Sequence, residues 1–570
     1  MAELEEKKVG RALAQQEGCP VVMSEGKLCD RPLSDGSRGL DPRHVCLMHT
    51  RNPAKDVGAF QKEFERILEA AENGVADFRE FFFPAVNCRD REFTAQCIFA
   101  NVTFSGAVDF GSARFKRGAN FTNATFVGSA EFSKAAFSQA AEFDGATFME
   151  DVYFRRVTFS GAAAFNGSVF NKSADFGSAR FMNVAYFMKQ TFTQVVYFSG
   201  VTFTQDAYFS GTKFAEEANF AKATFDTNAG FDGAAFMKKA DFSGSKFALL
   251  ADFSHARFLG AVEFQETGFR RDDEGIPGPV FCSAELEKPD AVVFYKTYLG
   301  QALFNNCDVS KVAFLMVEWR ERKGNRKRMV FEEEMDLRHA AAATIKCRDG
   351  AIDGRDFPVI NELYQRLTKN YDDRKDYWTA GDFHYGEMEM KRLAMPPRRQ
   401  TQSGLIQKMP GDELWNLVKT WRHKNFSLLA WYKYASNYGE SYVRPIAVLL
   451  IVLAVFTMLF PWAGLELNEN LSHSNSTVAA PQAPPPVGTS ELSYKHFKDF
   501  IRAYPGRKWG APAAFFGNSL MTVLSVAGFQ KELKYEPTYP WGRALALLEL
   551  LLTSTLIALF LLAVRRQFRR

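Results

Sequence analysis

The sequence predicts a mixed multidomain chain in which a β-solenoid is followed by an α-helical linker and a two-helix transmembrane domain. Three observations carry that prediction. Phe stands at position 93 and every eleventh residue to Phe269, and again at 99 and every eleventh residue to Phe264, so that 33 of the 56 Phe lie on two interleaved series. From Glu321 the composition turns charge-rich, with apolar residues at helical spacing. Pro445 to Leu465 is 21 residues without a charge, and Ala544 to Val564 is 21 with only Glu549. The expected segments are a small zinc-binding knuckle at 1–57, a capping helix at 58–90, the solenoid at 91–319, a cytosolic helical linker at 320–440 and the membrane domain at 441–570.

At 570 residues the chain should hold several units, because single hydrophobic cores stop growing well below that size. Its net charge of +4 arises from 70 basic and 66 acidic residues, so bulk charge gives no argument for nucleic-acid binding, and none is expected. The opening, MAELEEKKVGRALAQQEG, is polar and is not a secretory signal. Membrane entry is therefore expected from inside the sequence.

Near the N-terminus, Cys19, Cys29, Cys46 and His49 supply three thiolates and an imidazole within about thirty residues. Cys-x2-His lets both side chains reach one tetrahedral ion, and Cys3His is a structural zinc set with all four positions filled by protein. Turn formers (Ser34-Asp35-Gly36, Gly39, Asp41-Pro42) fill the gap, as a segment too short for its own core requires. The expected cofactor is structural zinc, in a reducing compartment. Phe60, Phe64 and Ile67 follow at helical spacing and suit a helix covering the first coil. Cys88 and Cys97, at the entrance, fit small buried thiols.

In the repeat the spacing between Phe alternates six, five, six, five, as in Ala141-Glu142-Phe143-Asp144-Gly145-Ala146-Thr147-Phe148-Met149-Glu150-Asp151. Residues five and six apart point about 140° and 240° round a helix and form no seam. The 15 Gly between Phe93 and Phe269 also suit a helix poorly. A straight strand fails because an odd step reverses the side chain, so the chain must bend between successive Phe. This small-polar-Phe-x-x phrase resembles the pentapeptide-repeat family, over roughly residues 91 to 270. The resemblance implies a right-handed quadrilateral β-helix with each Phe pointing in, here with 22 residues per coil, and looser coils reaching about Trp319. Some members of that family are acidic mimics of duplex DNA. Between Phe93 and Phe269 this chain has 15 Lys/Arg and 16 Asp/Glu, which leaves no acidic face by count. A spacer or a partner-binding surface is the expectation.

In the linker, Arg320 to Arg328 is a basic run that reads either as a contact to phospholipid head groups or as a solvated loop. Ile360, Leu363, Tyr364, Leu367 and Tyr371 mark one amphipathic helix, and Tyr377, Ala380, Phe383 and Met390 another. The phrase from Tyr364 to Arg392 is similar to segments between pentapeptide arrays and membrane tails in other bacterial proteins. No catalytic residue is assigned, and no enzymatic activity is expected.

Each apolar stretch of the tail is long enough to cross a hydrocarbon layer of ~30 Å. Trp462 and Trp541 suit one interface, while Arg422, Lys424, Lys433, Arg444, Arg565, Arg566, Arg569 and Arg570 gather at the other. The positive-inside rule then places both termini, and the solenoid, in the cytosol of a two-span protein of the cytoplasmic membrane. Pro481 to Pro486 reads as an external turret.

Phe515 to Phe529 is apolar but too short to span and fits a re-entrant helix. Pro537, Trp541-Gly542-Arg543, Glu549 and Ala558 to Ala563 then follow, completing the order outer helix, pore helix, filter, Pro, Gly-Arg, inner helix. Residues 443 to 568 thereby resemble the two-transmembrane potassium-channel pore family. The resemblance puts Thr522, Ser525, Val526, Ala527, Gly528 and Phe529 at or near the filter, with Glu549 and Thr553 on the inner helix, Thr553 standing where a hinge glycine is expected. The filter phrase Thr-Val-Gly-Tyr-Gly is absent, and only Gly528 supplies a filter glycine. The sequence thus suggests an ion-channel-like protein, a homo-oligomer and a tetramer if it conducts, whose solenoid receives a protein partner. The alternative is a non-conducting, membrane-anchored scaffold.

Overall fold

The computed structural model describes residues 18–22, 28–34, 45–52, 55–271, 277–337, 357–394, 422, 425–463, 465–467, 510–528, 535–537 and 539–569. It divides into two compact units, Met1–Arg374 and Lys375–Arg570.

The first unit is built on a four-sided β-solenoid. Its faces are parallel sheets of ten, ten, eleven and eight strands, each strand pairing with the one a full coil away. The register Phe126↔Phe148 sets the coil at 22 residues. Strands are two residues long because the chain turns at every Phe, and the two kinds of corner explain the five-six alternation. On the five-residue side the amide of residue i+3 bonds back to the carbonyl of the Phe, as in Ala113 N to Phe110 O at 3.0 Å. The residue between them, two past the Phe, is left-handed at Asn101, Ser112, Asn123, Lys134, Gly145 and onward every eleventh position. A positive φ there is the signature of a type II turn. The six-residue corner is wider and uses no such residue.

Four columns of Phe fill the interior. Rings one coil apart stack 4.6 to 5.4 Å apart between Phe93 and Phe269. Rings of opposite faces meet edge-on, as Phe132 and Phe143 do at 5.7 Å and 90°. Both arrangements suit the ring quadrupole. The residue two before most of these Phe is small and buried, Ala141 and Ala146 among them, while before Phe192 it is Gln190, buried with its amide on the carbonyl of Phe165. Each ring contributes roughly 1.5–3 kcal/mol on leaving water.

The solenoid begins earlier than Arg91. Helix α1 is Val57–Ala71, and the strand Val75–Asp77 already pairs with Gln96–Ile98. In this first coil the inward positions are Phe78, Phe83, Cys88 and Phe93, five apart, so a search for elevens passes over it. Phe60 and Phe64 of α1 pack edge-on against Phe83, closing the N-terminal end.

At the other end Arg320–Glu321 and Arg328–Met329 form an antiparallel hairpin rather than helix, because Gly324 takes a positive φ and turns the chain. Helix α2, Phe331–Leu337, follows it, and Arg322 pairs with Glu333 at 2.5 Å and Arg320 with Glu334. The basic run is therefore consumed in part by ion pairs. Helix α3, Phe357–Asp373, then covers the last rungs. Asn370 donates to the carbonyls of Val309 and Val312, Arg366 to that of Cys307, and Trp319 Nε1 to Tyr371 Oη at 2.8 Å. Asn370 and Arg366 thereby satisfy carbonyls at the end of the stack, where no further coil follows. Residues 320–373 thus finish the solenoid rather than lead away from it.

The second unit is helical: α4 Tyr377–Leu393, α5 Leu428–Ser436, α6 Val443–Leu459, α7 Gly510–Ala527 and α8 Pro540–Arg569. Among the described residues one helix is long and apolar enough to cross a membrane, Pro540–Phe568; Val443–Leu459 is apolar but shorter. Two complete spans are therefore not established, because α6 ends where Phe460–Ala463 tightens into a 3-10 turn. The turret at Pro481 to Pro486 lies outside the described residues.

Candidate functional site

The N-terminal segment is held by short bridges, Gly18 to Pro32, Val22 to Leu28 and Leu33 to Cys46, which fold three strips of chain together. They bring the four expected ligands to one point: Cys19, Cys29, Cys46 and His49 present ligand atoms that all lie within 4.8 Å of one another. Nδ1 of His49 is 3.4 Å from Cys19 Sγ and 3.2 Å from Cys46 Sγ, and Cys29 Sγ is 3.9 Å from Cys46 Sγ. Metal–sulfur bonds of about 2.3 Å give tetrahedral edges near ~3.8 Å, so the donor set fits a structural zinc ion with no position left for substrate.

Surrounding groups orient these ligands. Nε2 of His49 lies 3.2 Å from the carbonyl oxygen of Arg79, which fixes Nδ1 toward the thiols. Arg31 Nη1 donates to Cys29 Sγ at 3.1 Å and its Nε to Glu63 of α1 at 3.0 Å. Hydrogen bonds with Cys19 and Cys46 hold the Cys29 thiol well below its ordinary range, and those with Cys19 and Cys29 push Cys46 up. Burial alone would depress His49, but hydrogen bonds from Cys19 and Cys29 raise it to about 9.

The cluster sits on the start of the solenoid. The His49 ring meets Phe81 edge-on at 4.9 Å, and Phe82 N donates to Met48 O at 2.9 Å. Lys55, buried, reaches the carbonyls of Leu47 and Phe82, and burial lowers its pKa to about 8. Neither Arg31 nor Lys55 was legible as part of the site, since single basic residues between cysteines carry no spacing signal. Cys88 and Cys97 are buried in the first rungs, where burial pushes both thiols to about 12.

In the tail, α6, α7 and α8 pack together through Phe456, Phe460, Ala463 and Val523. Ser525, Val526 and Ala527 lie inside α7, and Gly528 N donates to Leu524 O at 2.9 Å, so the helix runs on through the expected filter. A carbonyl-lined filter needs extended backbone whose oxygens are free, and here the backbone is helical. Phe529 lies outside the described residues. Thr522 is buried on α7, and Glu549 and Thr553 are buried one turn apart on α8. Thr553 Oγ1 donates to Glu549 O at 2.9 Å, while among the described residues neither carboxyl oxygen of Glu549 has a hydrogen-bond partner. Gly542 permits the close entry to α8: a methyl there would fall 2.8 Å from Pro537 Cβ and 3.0 Å from Ala463 Cβ. Arg566, one of the flanking bases, donates to Tyr438 O at 2.8 Å and lies 3.2 Å from His384 Nε2.

No curated protein matches the chain. A family model described as "Pentapeptide repeats (9 copies)" matches residues 99–147, 128–167, 143–189 and 191–235, all within the four-sided stack. Arrays of this kind are structural rather than catalytic, and the Phe-cored stretch of this chain is a pentapeptide-repeat β-solenoid.

Proposed function

We propose that the chain is a membrane-anchored scaffold: a zinc-capped solenoid presenting flat faces to a protein partner, fixed to the cytoplasmic membrane by its C-terminal helices. The observation that carries this reading is the pairing of a long, stiff stack with the apolar, membrane-length helix Pro540–Phe568. In this reading α6 and the turn after it complete a second crossing, both termini are cytosolic, and Cys19, Cys29, Cys46 and His49 hold zinc. The helical backbone at Ser525 to Ala527 favours the scaffold over conduction.

A second reading is favoured by one specific observation, the buried and unpartnered carboxyl of Glu549 beside Thr553. An ionisable group at membrane depth faces a pore or a partner helix more readily than lipid. On that reading Thr522, Ser525, Val526, Ala527, Gly528, Phe529, Glu549 and Thr553 line a channel-like path in an oligomer.

Two measurements decide. The full chain should stay in the membrane pellet through an alkaline carbonate wash, and the chain ending at Arg374 should not; recovery of both in the supernatant overturns anchoring. Purified protein in planar bilayers should be silent, and single-channel currents abolished by Glu549→Gln would overturn the scaffold in favour of the channel.

A further inference from the structure

The near-equal count of acidic and basic residues conceals a partition among the faces. One face consists of the ladder Asn120, Glu142, Ala164, Tyr186, Tyr208, Gly230 and Asp252, successive rungs in register. With the residues flanking each strand, from Gly118 to Ser254, it carries Glu142, Asp144, Asp206, Asp232 and Asp252 and no Lys or Arg. The opposite face is also acidic but neutralises itself: Asp109 pairs with Arg89, Asp175 with Arg155 and Glu263 with Lys239. On the first face His255 lies 3.7 Å from Asp232.

Within that face the ladder has a gap. Tyr186 and Tyr208 stack at 5.7 Å and 16°, and Tyr208 Oη is tied to Asp206 at 3.0 Å, so the ring is held flat. The next rung is Gly230, which leaves the far face of the Tyr208 ring uncovered. A groove of about 370 Å³ opens there, bordered by Tyr208, Ser210, Asn228, Asp232, Asp252 and His255. Two rungs at ~4.8 Å separate Tyr208 from Asp252, which leaves room for one flat cationic group between an aromatic face and a carboxylate. A guanidinium prefers both of those neighbours at once.

We propose that this face docks a Lys/Arg-rich polypeptide segment of a partner protein, with one arginine seated over Gly230 against Tyr208 and paired with Asp232 and Asp252. The inference rests on the scaffold reading for the existence of a partner and names that partner's chemistry. Charge complementarity selects the occupant: five carboxylates on strands and flanks that carry no Lys or Arg repel nucleic acid and acidic lipid alike and attract a basic chain.

The test uses the full chain in detergent micelles and a fluorescein-labelled (Arg-Gly)6 peptide followed by fluorescence anisotropy, with (Glu-Gly)6 as the reference probe. Gly230→Tyr extends the tyrosine ladder into the groove; a Cβ at Gly230 meets Tyr208 Cδ1 at 3.4 Å and Ser210 Oγ at 3.7 Å, ordinary contacts, so the fold should tolerate it. Asp232→Asn with Asp252→Asn removes charge and keeps shape. Each should weaken the arginine peptide at least tenfold, while Glu131→Gln with Asp241→Asn on the opposite face should change it less than twofold. Melting curves of all three variants check that they fold. Equal weakening by both carboxylate pairs, undiminished binding by Gly230→Tyr, or no binding by the unmodified chain overturns the proposal. Carbonate fractionation reads anchoring separately, so an anchored chain that ignores the peptide overturns this inference alone.

Discussion

The solenoid and the C-terminal helices bury opposite kinds of residue. In the solenoid every Phe of the stack is hidden, while the rung positions facing out are chiefly polar or charged, such as Thr103, Asp109, Arg114, Asn120 and Glu131. In α8 several leucines face outward, with Leu547 63% and Leu551 67% exposed, while Glu549 and Thr553 are fully buried. Water dictates the first arrangement and a hydrocarbon solvent the second, because lipid tails are as apolar as leucine and only polar groups gain by turning inward. The backbone follows suit: the solenoid satisfies its amides from coil to coil, and the tail satisfies them within each helix. What differs between the two regions is therefore the solvent each was built for.

The largest effect that would sharpen this contrast lies at the solenoid's first coil. There the ring columns begin, and a metal site stands where a further coil would be. Chelation of zinc, or Cys46→Ser, should remove one equivalent of zinc and unfold the segment around residues 18–52, since structural zinc supplies on the order of 10 kcal/mol to such knuckles. Hydrogen exchange should then rise at Phe81 to Phe83, which pack under the cluster, and stay unchanged beyond Phe121. Unchanged exchange at the first coil after zinc loss would mean that α1 alone caps the stack.

A truncation to alanine in each region tests the inversion. Phe176→Ala, in the middle of a column, should cost about 3–5 kcal/mol because the stiff stack cannot collapse into the void. Leu547→Ala should cost less than about 1 kcal/mol in micelles or bilayers, where lipid replaces the lost contact. Thermal unfolding of the full chain read at both regions checks this, and similar losses at the two sites would show α8 packed in protein rather than lipid.

Where the chain repeats, its fold was open to inspection; where a feature depends on a single residue, it was not. The Phe series announced 22 residues per coil because the period is enforced by contact between identical rings. The first coil escaped notice because Phe78, Phe83, Cys88 and Phe93 step by fives and one position is Cys. The zinc ligands were legible as residue types with suitable spacing, whereas Arg31 and Lys55 become part of the site only through folding of α1 and the first coil. The tail was read as two spans with a filter, from the order of its motifs. Motif order does not fix backbone conformation, and Ser525 to Ala527 are helical. The groove at Gly230 could not be foreseen from composition, since a count of charges carries no information about which face each one occupies.

The smallest effect tests the backbone rather than the side chains, and it should change sign between the regions. Gly167 sits at a five-residue corner with φ +65°, and a methyl group added there meets nothing within 4 Å. Gly167→Ala should therefore lose stability solely through the left-handed backbone, by about 1 kcal/mol. Gly517 lies within α7, and a methyl added there also meets nothing within 4 Å. Gly517→Ala should gain about 0.8–1 kcal/mol, because alanine restricts the unfolded chain and favours helix. Melting of the two variants compares one methyl group in equal space on two backbones. A loss at Gly517 would mean that α7 uses the glycine for close approach to another copy of the chain, which would move the tail from anchor toward assembly.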